Sequence, residues 1–191
     1  MTVMVAQCPG EAAASEQRTA AERLLRLGLQ RAFGVEETEV DLERNSYGKP
    51  RLRGRPDVHF NIAHCPRAVA VLVADRPVGV DVEAVRSRDA HVAARCFDAS
   101  EQARVEAAAD PDREFFRYWT LKESYVKALG CGLSYPLRDV RFEVSPTGEP
   151  ESNKPQAGFR LVEELPAVVI ALCWLRGRGR SAQSDLVQVE W

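Results

Sequence analysis

Lysine is scarce in this 191-residue sequence: against 22 arginines there are four lysines, Lys49, Lys122, Lys127 and Lys154. The bias is compositional, and it makes the positions that stay lysine worth inspecting. Long apolar runs are missing too. None approaches the roughly 20 residues that a membrane span needs, so no membrane association is expected. The first residues, MTVMVAQCPGEAAASEQ, have no basic region followed by an apolar stretch, so no secretory signal is expected. The five cysteines (Cys8, Cys65, Cys96, Cys131 and Cys173) are odd in number and scattered, and no CxxC pair occurs. This excludes a disulfide framework and points to reduced thiols in a cytoplasmic setting. His59, His64 and Cys65 lie close in sequence, but no second cluster completes a zinc site. Excess charge is also lacking: the net charge of −2 gives no electrostatic footprint for nucleic acid.

What is present is ordinary globular composition, 45% hydrophobic and 28% charged, enough for one domain with a substantial core or for two small halves packed together. Residues 15–33 carry leucine and alanine at helical spacing, with Ser15 as N-cap and Gly34 as stop. The polar stretch ERNSYGKPRL holds the turn-forming Gly48 and Pro50. VHFNIAHC (58–65) reads as a strand. The spacing of AVAVLVAD and VGVDVE predicts a hairpin, with strands 68–74 and 78–83 joined by a turn at Asp75–Pro77. From about 86 to 130 the pattern is helical: FDASEQARVEAA is capped near Asp98 or Ser100, and a longer helix runs from Asp112 to Gly130. Residues 140–144, 159–165, 167–175 and 185–191 read as strands, and RGRGRSAQS as a basic loop. Helices between sets of antiparallel strands define an α+β chain, not a parallel α/β alternation.

Two segments carry chemistry. Side chains alternate across a strand, so VGVDVE places Val78, Val80 and Val82 on one face and Gly79, Asp81 and Glu83 on the other. Such a D-x-E is a common feature of a solvated edge. On an interior strand the two carboxylates would repel and need a cation, and hard oxygen ligands without nearby His or Cys suit Mg2+ or Mn2+. On the 112–130 helix, Glu123 and Lys127 are spaced i, i+4, as in an ordinary surface ion pair worth about 0.3–0.5 kcal/mol. In the functional alternative Glu123 joins the metal shell while Lys122 and Lys127 bring positive charge to phosphate. His64 and Lys49, taken singly, fit a core histidine and an exposed turn.

In combination, YGKP, FNIAHC, VGVDVE and FFRYWTLKESYVKALGCGLSYPL, in this order over about 45–137, resemble the 4′-phosphopantetheinyl transferases of the surfactin-synthetase type. The resemblance implies transfer of the 4′-phosphopantetheine arm of coenzyme A to a serine of an apo acyl or peptidyl carrier protein, with release of 3′,5′-ADP. It implies Asp81, Glu83 and Glu123 as Mg2+ ligands. Glu123 would also be the general base, Lys122 and Lys127 would lie near the pyrophosphate, and Lys49, His64 and Arg18 would hold the nucleotide. The implied fold is a pseudo-two-fold pair of similar α+β halves, 1–85 and 86–191, each a small antiparallel sheet with a long helix. The active site would lie in the cleft between them. A cytoplasmic monomer is expected, with its carrier docked on residues 86–101 near Arg86, Arg88 and Arg95. The family's serine before the histidine is here Ala63, which predicts weaker coenzyme A binding. The rivals are a non-catalytic coenzyme A or carrier-binding module and a metal-dependent phosphoanhydride hydrolase.

Overall fold

The run AVAVLVA is apolar at every position, which requires cover on both of its faces. A computed structural model, describing residues 1–8, 10–132, 135–145, 147–165, 167–176 and 185–190, shows what supplies that cover. In chain order the elements are β1 (Thr2–Gln7), α1 (Ala14–Phe33), β2 (Leu42–Arg44), β3 (Pro50–Leu52), β4 (His59–Cys65), β5 (Ala68–Ala74), β6 (Val78–Ala84), α2 (Ala90–Cys96), α3 (Ala99–Ala107), α4 (Pro111–Leu129), β7 (Phe142–Val144), β8 (Pro150–Ser152), β9 (Ala157–Val162), β10 (Val168–Leu175) and β11 (Asp185–Val189). The chain is a mixed α+β fold of small, largely antiparallel sheets and helices, as expected.

One sheet has the order β11–β1–β5–β4 and a second the order β6–β10–β9, while β2–β3 and β7–β8 form short ribbons. The period of two then assigns the faces. From β5, Ala68, Ala70, Leu72 and Ala74 join Val78, Val80 and Val82 of β6 and Ile170 and Leu172 of β10 in one apolar layer between the sheets. The alternate residues of β5, Val69, Val71 and Val73, pack under Leu24, Leu25 and Leu29 of α1. The alternate residues of β10, Val169, Ala171 and Cys173, pack under Tyr118, Leu121 and Tyr125 of α4. Each sheet thus carries a long helix on its outer face.

The expected hairpin of 68–74 with 78–83 is not formed. β5 is flanked by β1 and β4, and β6 pairs instead with β10, Val82 standing opposite Ile170. The turn at Asp75–Pro77 carries the chain from one sheet to the other. Both strands present an apolar row to the same interior, and that surface is buried by stacking the sheets instead of pairing the strands side by side. The expected division at residue 85 therefore differs from the division between sheets: β6 belongs with β9 and β10, and β11 returns to pair in parallel with β1.

Other boundaries move for local reasons. Ser15 lies inside the first turn of α1; the cap position is Ala13, whose N–H donates to the Glu16 carboxylate at 2.7 Å. α4 starts at Pro111 behind Asp110, whose carboxylate accepts the Arg113 N–H at 3.0 Å, so Asp110 takes the cap expected of Asp112. The Gly34 and Gly130 stops stand, and Asp98 caps α3. The strands expected over 140–144 and 159–165 run as Phe142–Val144 and Ala157–Val162. The strand β1, which the sequence pattern leaves unassigned, is nearly all buried. Of RGRGRSAQS only Arg176 lies among the described residues, and Trp191 lies outside them.

Candidate active site

Gly79 brings the site together. A Cβ there would stand 2.0 Å from the Ser124 carbonyl oxygen and 2.4 Å from the Ala128 nitrogen, so only glycine lets the α4 backbone rest on β6. Two residues on, and on the same face, Asp81 meets the helix. It is 6% exposed, and its Oδ1 accepts from Lys127 Nζ at 2.6 Å. Its Oδ2 is buried and has no hydrogen-bond partner among the described residues. Burial holds the Asp81 carboxyl above its usual range, against the pull of the Lys127 ammonium.

Glu123 lies one helical turn before Lys127. Its Oε1 is likewise buried without a partner among the described residues. Burial raises its pKa first, and the neighbouring Asp81 charge raises it further. The surface pair of Glu123 with Lys127 is replaced by Lys127–Asp81. Glu83, half-buried, pairs with Arg86 at 2.8 Å, and that guanidinium stands 4.7 Å from the centroid of the Phe116 ring. Among the described residues no group of three or more His, Cys, Asp and Glu side chains is gathered as a ready-made metal cage.

Two cavities flank Glu123 and Val126. One of about 260 Å³ is lined by Tyr47, Lys49, Asn61 and Lys127. The other, about 620 Å³, is lined by Val92, Cys96, Trp119 and Tyr135, with Arg95 and Arg138. Of the arginines expected on a carrier surface, Arg95 faces this cavity, whereas Arg88 is engaged by Glu106 and Asp112.

The remaining expected residues separate. His64 is exposed at the end of β4, and its Nδ1 lies 2.7 Å from Gln17 Oε1. Because Gln17 Nε2 donates to the Ala12 carbonyl, its oxygen is the acceptor and His64 Nδ1 carries the proton. Arg18 is exposed on α1 beside Gln17. Lys49 donates to the carbonyls of Val78, Lys127 and Ala128, at 2.8, 2.6 and 3.4 Å, and burial pulls its pKa down to about 8. Ala63 is 4% exposed and packs in the layer between the sheets, so this position belongs to the core.

Lys122 is not brought to the site. Its side chain is 0% exposed, its ammonium pairs with Glu101 at 2.9 Å, and it also donates to the carbonyls of Leu137 and Val140. Adjacent helical residues point about 100° apart, so placing Glu123 in the cleft turns Lys122 into the core. Two polar residues, Asn61 and Glu101, escape the sequence reading. Asn61 Oδ1 accepts the Val80 N–H at 2.8 Å, on the edge of β6 that faces β4. Glu101, fully buried, accepts from the backbone of Asp98 and Phe142 as well as from Lys122. Gly79 was legible as a glycine inside a strand, the usual sign of close backbone approach.

The acids of β6 thus lie under a helix whose Glu123 and Lys127 open on the cavities beside it. The family model described as the 4′-phosphopantetheinyl transferase superfamily matches residues 77–173, just over half of the chain and the part that holds Asp81, Glu83, Glu123 and Lys127. The chain belongs to this superfamily. It is 30% identical over 158 residues to 4′-phosphopantetheinyl transferase Sfp of Bacillus subtilis (strain 168), covering 78% of this chain and 70% of that protein. It is 34% identical over 119 residues to a 4′-phosphopantetheinyl transferase of Bacillus subtilis, covering 61% of this chain and 53% of that protein. The chain thus spans between 53% and 70% of the length of these curated relatives. The holo-[acyl-carrier-protein] synthase structure of Thermotoga maritima overlaps 53% of this chain and 64% of that one, at 27% identity and a TM-score of 0.46.

Proposed function

We propose that this protein transfers the 4′-phosphopantetheine group of coenzyme A to a serine of an apo acyl or peptidyl carrier protein and releases 3′,5′-ADP. The observation that carries the reading is the convergence of Asp81 and Lys127, at 2.6 Å, with Glu123 one turn away. The donor set suits Mg2+. Asp81 Oδ2 and Glu123 Oε1 are buried oxygens without partners among the described residues, and a hard cation with Glu83 as further ligand would satisfy both. When bound, that ion would neutralise the pyrophosphate of coenzyme A.

In the proposed reaction the serine oxygen bonds to the β-phosphorus while the bond from that phosphorus to the bridging oxygen breaks. The electron pair leaves on the nucleotide phosphate. Lys127 holds a positive charge where the departing phosphate gains a negative one. Glu123, one turn from Lys127, takes the serine proton. His64 and Arg18 would face the nucleotide, and the larger cavity would take the pantetheine arm and the carrier's serine loop. The protein would act as a cytoplasmic monomer. Among the described residues no helix is long and apolar enough to cross a membrane.

The test is the mass of an apo carrier incubated with the protein, coenzyme A and Mg2+. A gain of one phosphopantetheine group is expected. An unchanged carrier sinks the reading; if 3′,5′-ADP nevertheless appears, the cleft belongs to a hydrolase.

A further inference from the structure

The last carbonyls of an α-helix have no partner inside it, and in α4 an unusual donor serves them. Gly130 N–H takes Val126 O at 3.0 Å. The Lys127 and Ala128 carbonyls accept from Lys49 Nζ, and the Gly130 carbonyl accepts from Asn45 Nδ2 at 3.1 Å. Both donors sit on the turn between β2 and β3, far from α4 in sequence. The same Lys49 ammonium also reaches the carbonyl of Val78, the first residue of β6. One charge therefore ties the end of the helix to the start of the strand, next to the crossing that Gly79 allows.

The turn is built to hold this cation. Asn45 Oδ1 accepts the N–H groups of Tyr47 and Lys49, each at 2.9 Å, and Gly48 adopts a φ of 85°. The Lys49 stem lies so close to Gly130 that a Cβ there would stand 3.2 Å from Lys49 Cδ. A cation at a helix C-terminus is also favoured by the helix dipole. An ammonium has three N–H donors, and these three go to three carbonyls, leaving none for a phosphate. Lys127 belongs to both arrangements: its carbonyl is held by Lys49, and its ammonium holds Asp81.

We infer that Lys49 is a positioning residue that fixes the last turn of α4 against β6, and with it the Lys127–Asp81 pair, and that it is not a ligand of the nucleotide. The inference rests on the transfer reading for its kinetic arm alone. Lys49→Met keeps the stem and removes the donors. It is compared with the wild type using coenzyme A and 3′-dephospho-coenzyme A as donors to one apo carrier, with coenzyme A affinity measured by calorimetry. The expected result is a kcat lowered about 10- to 100-fold, the scale for a misplaced reacting group. KM, affinity and the preference between the two donors should stay at wild-type values. Asn45→Ala, which touches no proposed ligand, should lower kcat in the same direction by less.

A large rise in KM at intact kcat, or loss of the preference for coenzyme A over its dephospho form, would place the ammonium on phosphate and overturn the inference. Wild-type kcat with only a lowered melting temperature would overturn it as well. If Lys49→Met does not fold, Asn45→Ala decides by the same split. If the wild type modifies no carrier, the transfer reading falls separately, and calorimetry then decides for Lys49: unchanged affinity supports the inference, lost affinity overturns it.

Discussion

Lys127 Nζ stands 2.6 Å from Asp81 Oδ1, joining the middle of β6 to the last turn of α4. The lysine side chain is 30% exposed and the aspartate side chain 8%, so the pair spans the boundary between core and cleft. Its members are far apart in sequence and meet only because the helix lies directly on the strand.

Asp81→Ala should lower the transfer rate by roughly 10²–10³-fold, the scale for removing one preorganised electrostatic group. The fold should survive, because Lys127 can turn to water and a buried carboxylate is removed. Carrier modification followed by mass, beside a thermal melt, checks both halves. Near-normal transfer would refute the assignment of Asp81.

Gly79→Ala should damage stability and activity together. The added methyl meets helix backbone at 2.0 and 2.4 Å, and backbone cannot rotate away as a side chain can. Overpacking of this kind costs about 1–3 kcal/mol or more. Urea denaturation should show that loss, and transfer should fall because Glu123 and Lys127 move away from Asp81.

Glu101→Ala should leave the Lys122 ammonium without its counter-charge in a place water does not reach, at an expected cost of about 3–5 kcal/mol. Replacing Glu101 and Lys122 together by methionine should cost less than either single change. A double-mutant cycle in urea measures the coupling. If Lys122 served phosphate directly, the cycle would show no coupling between Glu101 and Lys122, leaving only the loss of the Asp98 and Phe142 N–H acceptor.

Much of this site was legible in the primary structure, and what was hidden depended on distant partners. The alternation in VGVDVE correctly sends three valines to one face and two acids to the other, because a period of two is a property of the strand alone. The pairing of β6 with β10 is not local, and the short link at Asp75–Pro77 imitates a hairpin turn. Lys122 beside Glu123 suggests joint duty until helical geometry parts them. Glu101, in a charged helical stretch, looks like a surface acid, and only the arrival of Lys122 and of the Phe142 backbone makes it a core residue.

Asp98→Ala should cost about 1 kcal/mol at neutral pH, since its carboxylate accepts the N–H groups of Ser100 and Glu101 at the start of α3. Burial alone would raise the Asp98 pKa, but those hydrogen bonds outweigh it and the net shift is downward. A depressed folded-state pKa gives stability that is fully present above the unfolded value, about 3.9, and is lost as pH falls through the folded value. The difference between wild type and Asp98→Ala should therefore be constant at neutral pH and shrink in acid below about pH 4, as followed by urea denaturation. A difference that grows on acidification would contradict the sign.

The pairing of Val82 with Ile170 has a consequence during synthesis. The acid-bearing strand leaves the ribosome long before β10 does, so a nascent chain holds Val78, Val80 and Val82 with no neighbour along that edge. Chaperone capture should concentrate in this interval, and chains interrupted ahead of residue 168 should aggregate instead of accumulating as half-finished protein.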